Sequence, residues 1–295
     1  MKYSRFGLIG HPISHSLSPA LFKAGYDGRY PYELIETADF EEAYQRFLDS
    51  YDGINVTAPF KEAAFAKADI ISEECRLIGA TNLLVKTPEG IKAYNSDYLG
   101  VRLWLSAAGM GLKRTPPTSW VPPPAARGVA RFSAPCPQLK GATALIVGLG
   151  GAGKAAAVAA ASLGMKVVLM NRTAEKAEKM ADTLRNIGCE TEARPVGEFR
   201  KWFREADIII YNIPGAIQAL GELETEDFNP GHRKSILEAN YKDPSFAGTL
   251  LERMKEANPE AEYTGGKTWL LYQALTGYEI FTGENPDLER MSDVL

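Results

Sequence analysis

Thr143-Ala144-Leu145-Ile146-Val147-Gly148-Leu149-Gly150-Gly151-Ala152-Gly153 is the stretch that decides the fold of this chain. An apolar run of strand length ends in G-x-G-x-x-G, and an alanine-rich helical pattern over 153–163 follows at once. Each glycine has a separate reason. Gly148 permits a tight turn, Gly150 lets the backbone approach a pyrophosphate, and Gly153 lets the helix close on the strand. Gly151 and Ala152 complete the loop. The helix N-terminus then presents unpaired N–H groups and a partial positive charge to phosphate. Because strand, glycines and helix occur in that order, the segment 143–173 reads as a dinucleotide-binding βαβ unit in preference to a structural glycine turn.

The end of the second strand, at 166–170, chooses between cofactors. A chain that binds NAD usually places Asp or Glu there for the ribose 2′-hydroxyl. Here the residues are Asn171-Arg172-Thr173. Arg172 can clamp a 2′-phosphate with paired, charge-assisted hydrogen bonds. Thr173 can add a donor and cap the next helix, and Lys176 adds charge one turn on. The bland alternative is a solvated arginine. The reading adopted is NADP, with Gly148, Gly150, Gly151, Ala152, Gly153, Asn171, Arg172 and Thr173 as cofactor-binding residues.

Outward from this unit the chain alternates strand and helix. Strands are expected at 207–211 and 235–237, with a weaker one near 190–194, and helices at 174–186, 246–256 and 267–281. On the N-terminal side, strands are expected at 6–10, 30–36, 53–56, 81–85 and 91–94, and helices at 19–26, 40–48, 61–67 and 98–108. Ser18 and Asp39 stand at N-cap positions, and Pro88-Glu89-Gly90 forms a turn. Such alternation calls for a covered, mainly parallel sheet. Between the two blocks, 112–138 holds Pro116, Pro117, Pro122, Pro123, Pro124, Pro135 and Pro137, which forbids regular helix and most sheet pairing. It reads as a surface insertion, with Trp120 the one obvious anchor for any partner. The fold class is α/β: an N-terminal α/β domain at 1–99 that takes back the C-terminal helix at 265–295, and a Rossmann domain at 100–264 carrying the insertion.

Composition narrows the classes of function. The chain has 295 residues, ordinary apolar content and a net charge of −4, which argues against a general nucleic-acid binder. Cys75, Cys136 and Cys189 fit no zinc or redox spacing, and a reducing, cytoplasmic setting is the simplest reading. His11, His15 and His232 have no partners at ligand spacing, so no metal site is expected. No membrane span and no signal-peptide pattern is legible.

Three segments of the first hundred residues look unlike ordinary core. In His15-Ser16-Leu17-Ser18-Pro19 the hydroxyls of Ser16 and Ser18, at a helix start, can bind a carboxylate; Ser18 can equally be a plain cap. Asn55-Val56-Thr57-Ala58-Pro59-Phe60-Lys61 ends a strand on a lysine. Gly79-Ala80-Thr81-Asn82 is followed by Asn95-Ser96-Asp97, and Asn82 and Asp97 flank strand ends, where open α/β sheets place their ligands.

Taken together, these motifs resemble the shikimate dehydrogenase family: His-Ser-x-Ser-Pro, Asn-Val-Thr-x-Pro-x-Lys, Gly-Ala-x-Asn, Asn-Ser-Asp, Gly-x-Gly-Gly-Ala and Asn-Arg-Thr. The resemblance covers nearly the whole chain outside the proline-rich segment. It implies an NADP-dependent oxidoreductase that interconverts 3-dehydroshikimate and shikimate, a step of chorismate and aromatic amino acid biosynthesis. Carried over residue by residue, it implies that Ser16, Ser18 and Tyr241 meet the substrate carboxylate. Thr57, Asn82 and Gln273 would contact its hydroxyls or carbonyl region. Lys61 and Asp97 would be the catalytic pair, and Ala239 and Gly266 would approach the nicotinamide end. It implies small-molecule partners only, and a monomer or homodimer. A lysine ammonium, with an ordinary pKa of about 10.4, is a ready acid at neutral pH and a poor base. That suits donation of a proton to the alkoxide formed on reduction, with Asp97 orienting the ammonium. Substrate positioning alone is the rival role for Lys61.

The chain departs from the family pattern at four places. Ser96 stands for the usual Thr, Glu238 for Asp before Tyr241, and Trp269 for a common Met. Ile213-Pro214-Gly215 replaces a Thr-Pro or Thr-Ser stretch that borders the cofactor. Two other readings stay open: a quinate/shikimate or aminoshikimate dehydrogenase with nearly the same contacts, and a non-catalytic shikimate-binding module on the same fold.

Overall fold

The computed structural model describes residues 4–109 and 137–295. Trp120, Cys136 and all of the proline-rich segment before Pro137 lie outside the described residues. In chain order the elements are β1 (Phe6–Gly10), α1 (Ser18–Tyr26), β2 (Tyr32–Glu36), α2 (Phe40–Ser50), β3 (Gly53–Val56), α3 (Lys61–Ala66), β4 (Ile70–Ile71), α4 (Glu73–Ile78), β5 (Leu83–Thr87), β6 (Gly90–Tyr94) and α5 (Ser96–Gly109). They continue with β7 (Thr143–Val147), α6 (Gly151–Ser162), β8 (Lys166–Met170), α7 (Ala174–Arg185), β9 (Thr191–Arg194), α8 (Phe199–Glu205), β10 (Ile208–Tyr211), α9 (Gln218–Gly221) and β11 (Ser235–Glu238). The last are α10 (Thr249–Ala257), β12 (Glu262–Thr264), α11 (Gly266–Thr282) and α12 (Leu288–Ser292).

Two compact units result. Among the described residues, unit one takes the chain up to Gly100 and again from Leu271, and unit two takes 101–109 and 137–270. The cuts fall inside α5 and α11, so the return to unit one is made within a continuous helix whose first residue is Gly266.

The sheet of unit one runs β2-β1-β3-β5-β6-β4. β1 pairs in parallel with β2 and β3, whereas β5 is antiparallel to both β3 and β6. β4 also pairs in parallel with β6, so the sheet is mainly parallel as expected, and only the two pairings of β5 are antiparallel. Pro88-Glu89-Gly90 is too short for a crossover, and a short turn can join strands only antiparallel. The core beneath β1 is aromatic: Phe6 stacks on Phe281 at 4.9 Å, and Phe22 meets Tyr278 edge-on at 4.7 Å. Gly53 has no room for a side chain, because a Cβ there would lie 2.5 Å from the Phe281 ring. Asp39 caps α2 as expected, its carboxylate accepting from the Glu41 and Glu42 N–H groups at 2.9 and 3.3 Å. Ser18 does not cap α1. It is the first helical residue, and its hydroxyl pairs with Ser16 instead.

Unit two is parallel throughout, with strand order β12-β11-β10-β7-β8-β9. Read from the other edge this is the doubly wound order, whose switch point lies between β7 and β10. Short α8 was not legible as a helix, although Phe199, Trp202 and Phe203, at helical spacing, are all buried. The first Rossmann helix begins two residues earlier than expected, at Gly151, so Gly151, Ala152 and Gly153 form its first turn. Gly153 is there for space: a Cβ would stand 1.9 Å from the Gly148 carbonyl oxygen. At Gly150 a Cβ would meet nothing within 4 Å.

Gly153→Ala is expected to destabilise unit two by about 1–3 kcal/mol, since backbone must shift to admit the methyl group. Gly150→Ala should stay within about 0.5 kcal/mol of the parent. Denaturant unfolding of the two variants side by side checks this.

Candidate active site

In unit one the polar residues singled out from the sequence converge through loops that follow β1 and β3, which are parallel neighbours. The peptide bonds His11–Pro12 and Ala58–Pro59 are both cis, and the His11 N–H donates to the Ala58 carbonyl at 3.1 Å. Gly10 makes this approach possible, because a Cβ there would fall 2.4 Å from the Thr57 methyl group. Thr57 is half-buried at the start of the second loop, and Lys61 opens α3 at its end.

Lys61 reaches across to α5. Its Nζ lies 2.5 Å from Asp97 Oδ2, with the two side chains 21% and 8% exposed. This is a largely desolvated ion pair, of the kind that persists only when both charges are matched. The three residues of Asn95-Ser96-Asp97 divide the work of holding it. Asn95 caps the helix, accepting from the Tyr98 N–H at 3.0 Å and donating to the Ala80 carbonyl at 3.2 Å. Ser96 donates to Asn82 Oδ1 from its backbone at 2.7 Å and from its hydroxyl at 3.3 Å. That fixes the Asn82 amide and leaves its NH₂ as the donating end. Asp97 then meets the lysine. Gln273, half-buried on α11, is set by close helix packing: a Cβ on Gly100 would lie 2.7 Å from the Gln273 nitrogen.

Ser16 and Ser18 form a pair of their own, with Oγ atoms 3.1 Å apart and the Ser18 N–H donating to Ser16 Oγ at 3.2 Å. Three residues that were not singled out belong to the same region. Tyr32 donates to Asn55 Oδ1 at 2.8 Å, Asn55 donates to the Asn82 carbonyl at 3.4 Å, and Tyr278 donates to the Ser18 carbonyl at 3.0 Å. Asn55 was visible inside the Asn-Val-Thr motif. The tyrosines, in an aromatic strand and an apolar helix, looked like core alone.

Unit two supplies a different kind of site, built from backbone. Gly148 has a φ of +89°, open to glycine at little cost, and α6 starts with no side-chain cap, leaving its first N–H groups unpaired. The open space at Gly150 and the buried, unpartnered Oδ1 of Asn212, beside Gly148 and Gly153 at the end of β10, fit a dinucleotide at the switch point. Asn171 is used inside the loop: its Oδ1 accepts from the Leu149 N–H at 3.1 Å and its NH₂ donates to the Thr173 carbonyl at 3.0 Å. It shapes the turn that a phosphate would meet. Arg172 and Thr173 are exposed, and Arg172 takes part in no ion pair among the described residues. Thr173 occupies the N-cap position of α7 without a side-chain cap bond, which leaves its hydroxyl available. Ala239 and Gly266 stand face to face, since a Cβ on Gly266 would lie 2.2 Å from the Ala239 carbonyl.

Tyr241, half-buried, lies in the loop after β11 and belongs to unit two, not to the cluster of unit one. Its loop is anchored by the fully buried Glu238. That carboxylate accepts from the Ser245 N–H at 2.5 Å, the Phe246 N–H at 3.2 Å and the Tyr263 hydroxyl at 2.8 Å. Among the described residues no group of three or more His, Cys, Asp or Glu is placed to hold a metal ion, and no helix is long and apolar enough to cross a membrane.

Residues 8–84 match the family model of the shikimate dehydrogenase substrate binding domain, and residues 130–235 match that of shikimate / quinate 5-dehydrogenase. The shikimate dehydrogenase (NADP(+)) of Pyrococcus furiosus is 31% identical over 299 aligned positions, which cover 98% of this chain and 94% of that protein. Among solved structures, the shikimate 5-dehydrogenase of Thermus thermophilus in complex with NADP(H) and shikimate superposes with a TM-score of 0.71 at 25% identity, covering 99% of this chain and 98% of that one. The shikimate dehydrogenase of Mycobacterium tuberculosis gives a TM-score of 0.74 at 26% identity, with coverage of 99% and 98%.

Glu238→Ala removes the acceptor of three hydrogen bonds in a dry site, and is expected to cost about 3 kcal/mol of stability. Urea unfolding of the purified variant measures it.

Proposed function

The chain belongs to the shikimate dehydrogenase family, and on that premise we propose that Lys61 and Asp97 are the catalytic pair in its NADP-dependent, reversible reduction of 3-dehydroshikimate to shikimate. The observation that carries the assignment is the 2.5 Å Lys61–Asp97 contact, made by two largely buried side chains in the unit that holds the hydroxyl and amide cluster.

NADPH, when bound, supplies the hydride. Lys61 donates a proton from Nζ to the oxygen that becomes the new hydroxyl, and its positive charge stabilises that oxygen as negative charge grows on it. Asp97 keeps the ammonium in one place and balances its charge once water is excluded. Asn82, held by Ser96, donates to a ring hydroxyl, and Gln273 and Thr57 contact the hydroxyl or carbonyl region. Ser16 and Ser18 donate to the carboxylate, with Tyr241 assigned to the same group. In unit two the α6 N-terminus and the loop from Gly148 to Gly153 face the pyrophosphate. Arg172 clamps the 2′-phosphate, helped by the Thr173 hydroxyl, and Ala239 and Gly266 border the nicotinamide end. Asn171 contributes by fixing the turn.

In this reading the partners are small molecules only. The chain acts as a monomer or homodimer, as its resemblance to the family implies. A reducing cytoplasm suits its free Cys75 and Cys189 thiols.

Two outcomes are expected. Lys61→Met should lower kcat about 10²–10⁴-fold in NADP reduction by shikimate, with the Michaelis constant changed far less. A variant that keeps kcat and loses only affinity would make Lys61 a positioning group. Arg172→Ala should weaken NADP binding about tenfold or more by calorimetry and leave NAD binding unchanged. Running the spectrophotometric assay with quinate and NAD as controls separates this activity from that of a quinate dehydrogenase, and shikimate binding without turnover would mark a binding module.

A further inference from the structure

The serines assigned to the substrate carboxylate rest on a frame that the reaction itself does not use. Their hydroxyls are rotors, and two rotors recognise a carboxylate well only if the backbone beneath them is held. Part of that hold comes from the far end of the chain: Tyr278, on α11, donates its hydroxyl to the Ser18 carbonyl at 3.0 Å. The Tyr278 side chain is 2% exposed, edge-on to Phe22 at 4.7 Å and 5.9 Å from the Tyr32 ring. Tyr32 is tied in turn to Asn55. Burial pushes both phenols well above the usual tyrosine range, an effect the Ser18 side chain partly offsets at each of them. The phenols therefore stay neutral donors, Tyr278 to the Ser18 carbonyl and Tyr32 to Asn55.

We infer that Tyr278 is a positioning residue for carboxylate recognition: its hydroxyl fixes the backbone of Ser18 and so the direction in which the Ser16–Ser18 pair is presented. The inference rests on the assignment of those serines to the carboxylate. It extends the substrate site to a side chain with no place in the proton transfer, because Lys61 and Asp97 are held by α3 and α5.

Tyr278→Phe deletes the hydroxyl and keeps the ring. The Michaelis constant for shikimate, and its dissociation constant by calorimetry, should both rise roughly three- to tenfold, the worth of one hydrogen bond. The kcat should stay within about twofold, and the Michaelis constant for NADP should not move. Tyr26→Phe is the matched control, since Tyr26 is equally buried in the same aromatic cluster but donates to the Glu284 carbonyl at 3.1 Å. It should leave shikimate binding unchanged. Equal weakening in both variants would reduce Tyr278 to a packing role and overturn the inference, as would unchanged binding in Tyr278→Phe. Ser18→Ala separates the two levels. If it weakens shikimate binding while Tyr278→Phe does not, only the inference falls; if it has no effect, the carboxylate assignment falls and the inference with it. In the double variant the two losses should not add, because both act through Ser18.

Discussion

The Phe281 ring lies against Gly53, in space that a side chain at position 53 would fill, and stacks on Phe6 of the neighbouring strand β1. This contact seats the C-terminal half of α11 on the first sheet, and the register of that helix sets much of the polar cluster of unit one. Four residues back along α11, Gly277 faces Ser96, where a Cβ would come within 3.2 Å of the Ser96 Cβ. One turn further, Gln273 meets Gly100. Tyr278 reaches Ser18 from the same half of the helix. A helix that begins in one unit thus fixes, in the other, the start of α1 and the start of α5. Close-packed interiors transmit such constraints because side chains cannot be moved by a fraction of an ångström without cost.

The two units use different chemistry to prepare for a ligand. Unit one uses side chains. A carboxylate and an ammonium are taken largely out of water and kept there by mutual charge, and the amide of Asn82 is oriented by spending its oxygen on Ser96. Unit two uses backbone. Positive φ at Gly148, the missing Cβ of Gly150 and the uncapped start of α6 leave N–H groups and space, and Asn171 gives both ends of its amide to keep that loop in shape. A phosphate needs many weak donors and little selectivity between them, which backbone provides. A ring carrying a carboxylate and several hydroxyls needs particular donors at particular places, which only side chains provide.

Much of this was legible in order along the chain. The strand–glycine–helix run at 143–153, the Asp39 cap, and the strands at 53–56, 143–147 and 166–170 all read directly, because local patterning and glycine chemistry act over a few residues. The departures have local causes that the pattern under-weighted. Thr173 stands at the N-cap of α7 without a side-chain cap bond, and Ser18, the first residue of α1, pairs its hydroxyl with Ser16. Short amphipathic α8 is defined by what Phe199, Trp202 and Phe203 pack against, which no short window contains.

By itself, then, the sequence determined the α/β class, the glycine-rich loop after β7, the exposed arginine in place of an acidic residue after β8, and the residue types of the polar cluster in unit one. Each of those follows from backbone freedom, charge or hydrogen-bonding capacity carried by the residue itself. Only the tertiary structure decided which of these groups meet: that Lys61 closes on Asp97, that Asn82 is turned by Ser96, that Asn171 serves the loop, that Glu238 anchors the segment bearing Tyr241, and that Tyr278 stands behind Ser18. Such pairings join residues far apart in the chain, and burial is what gives them strength, so no property of either residue alone reveals them.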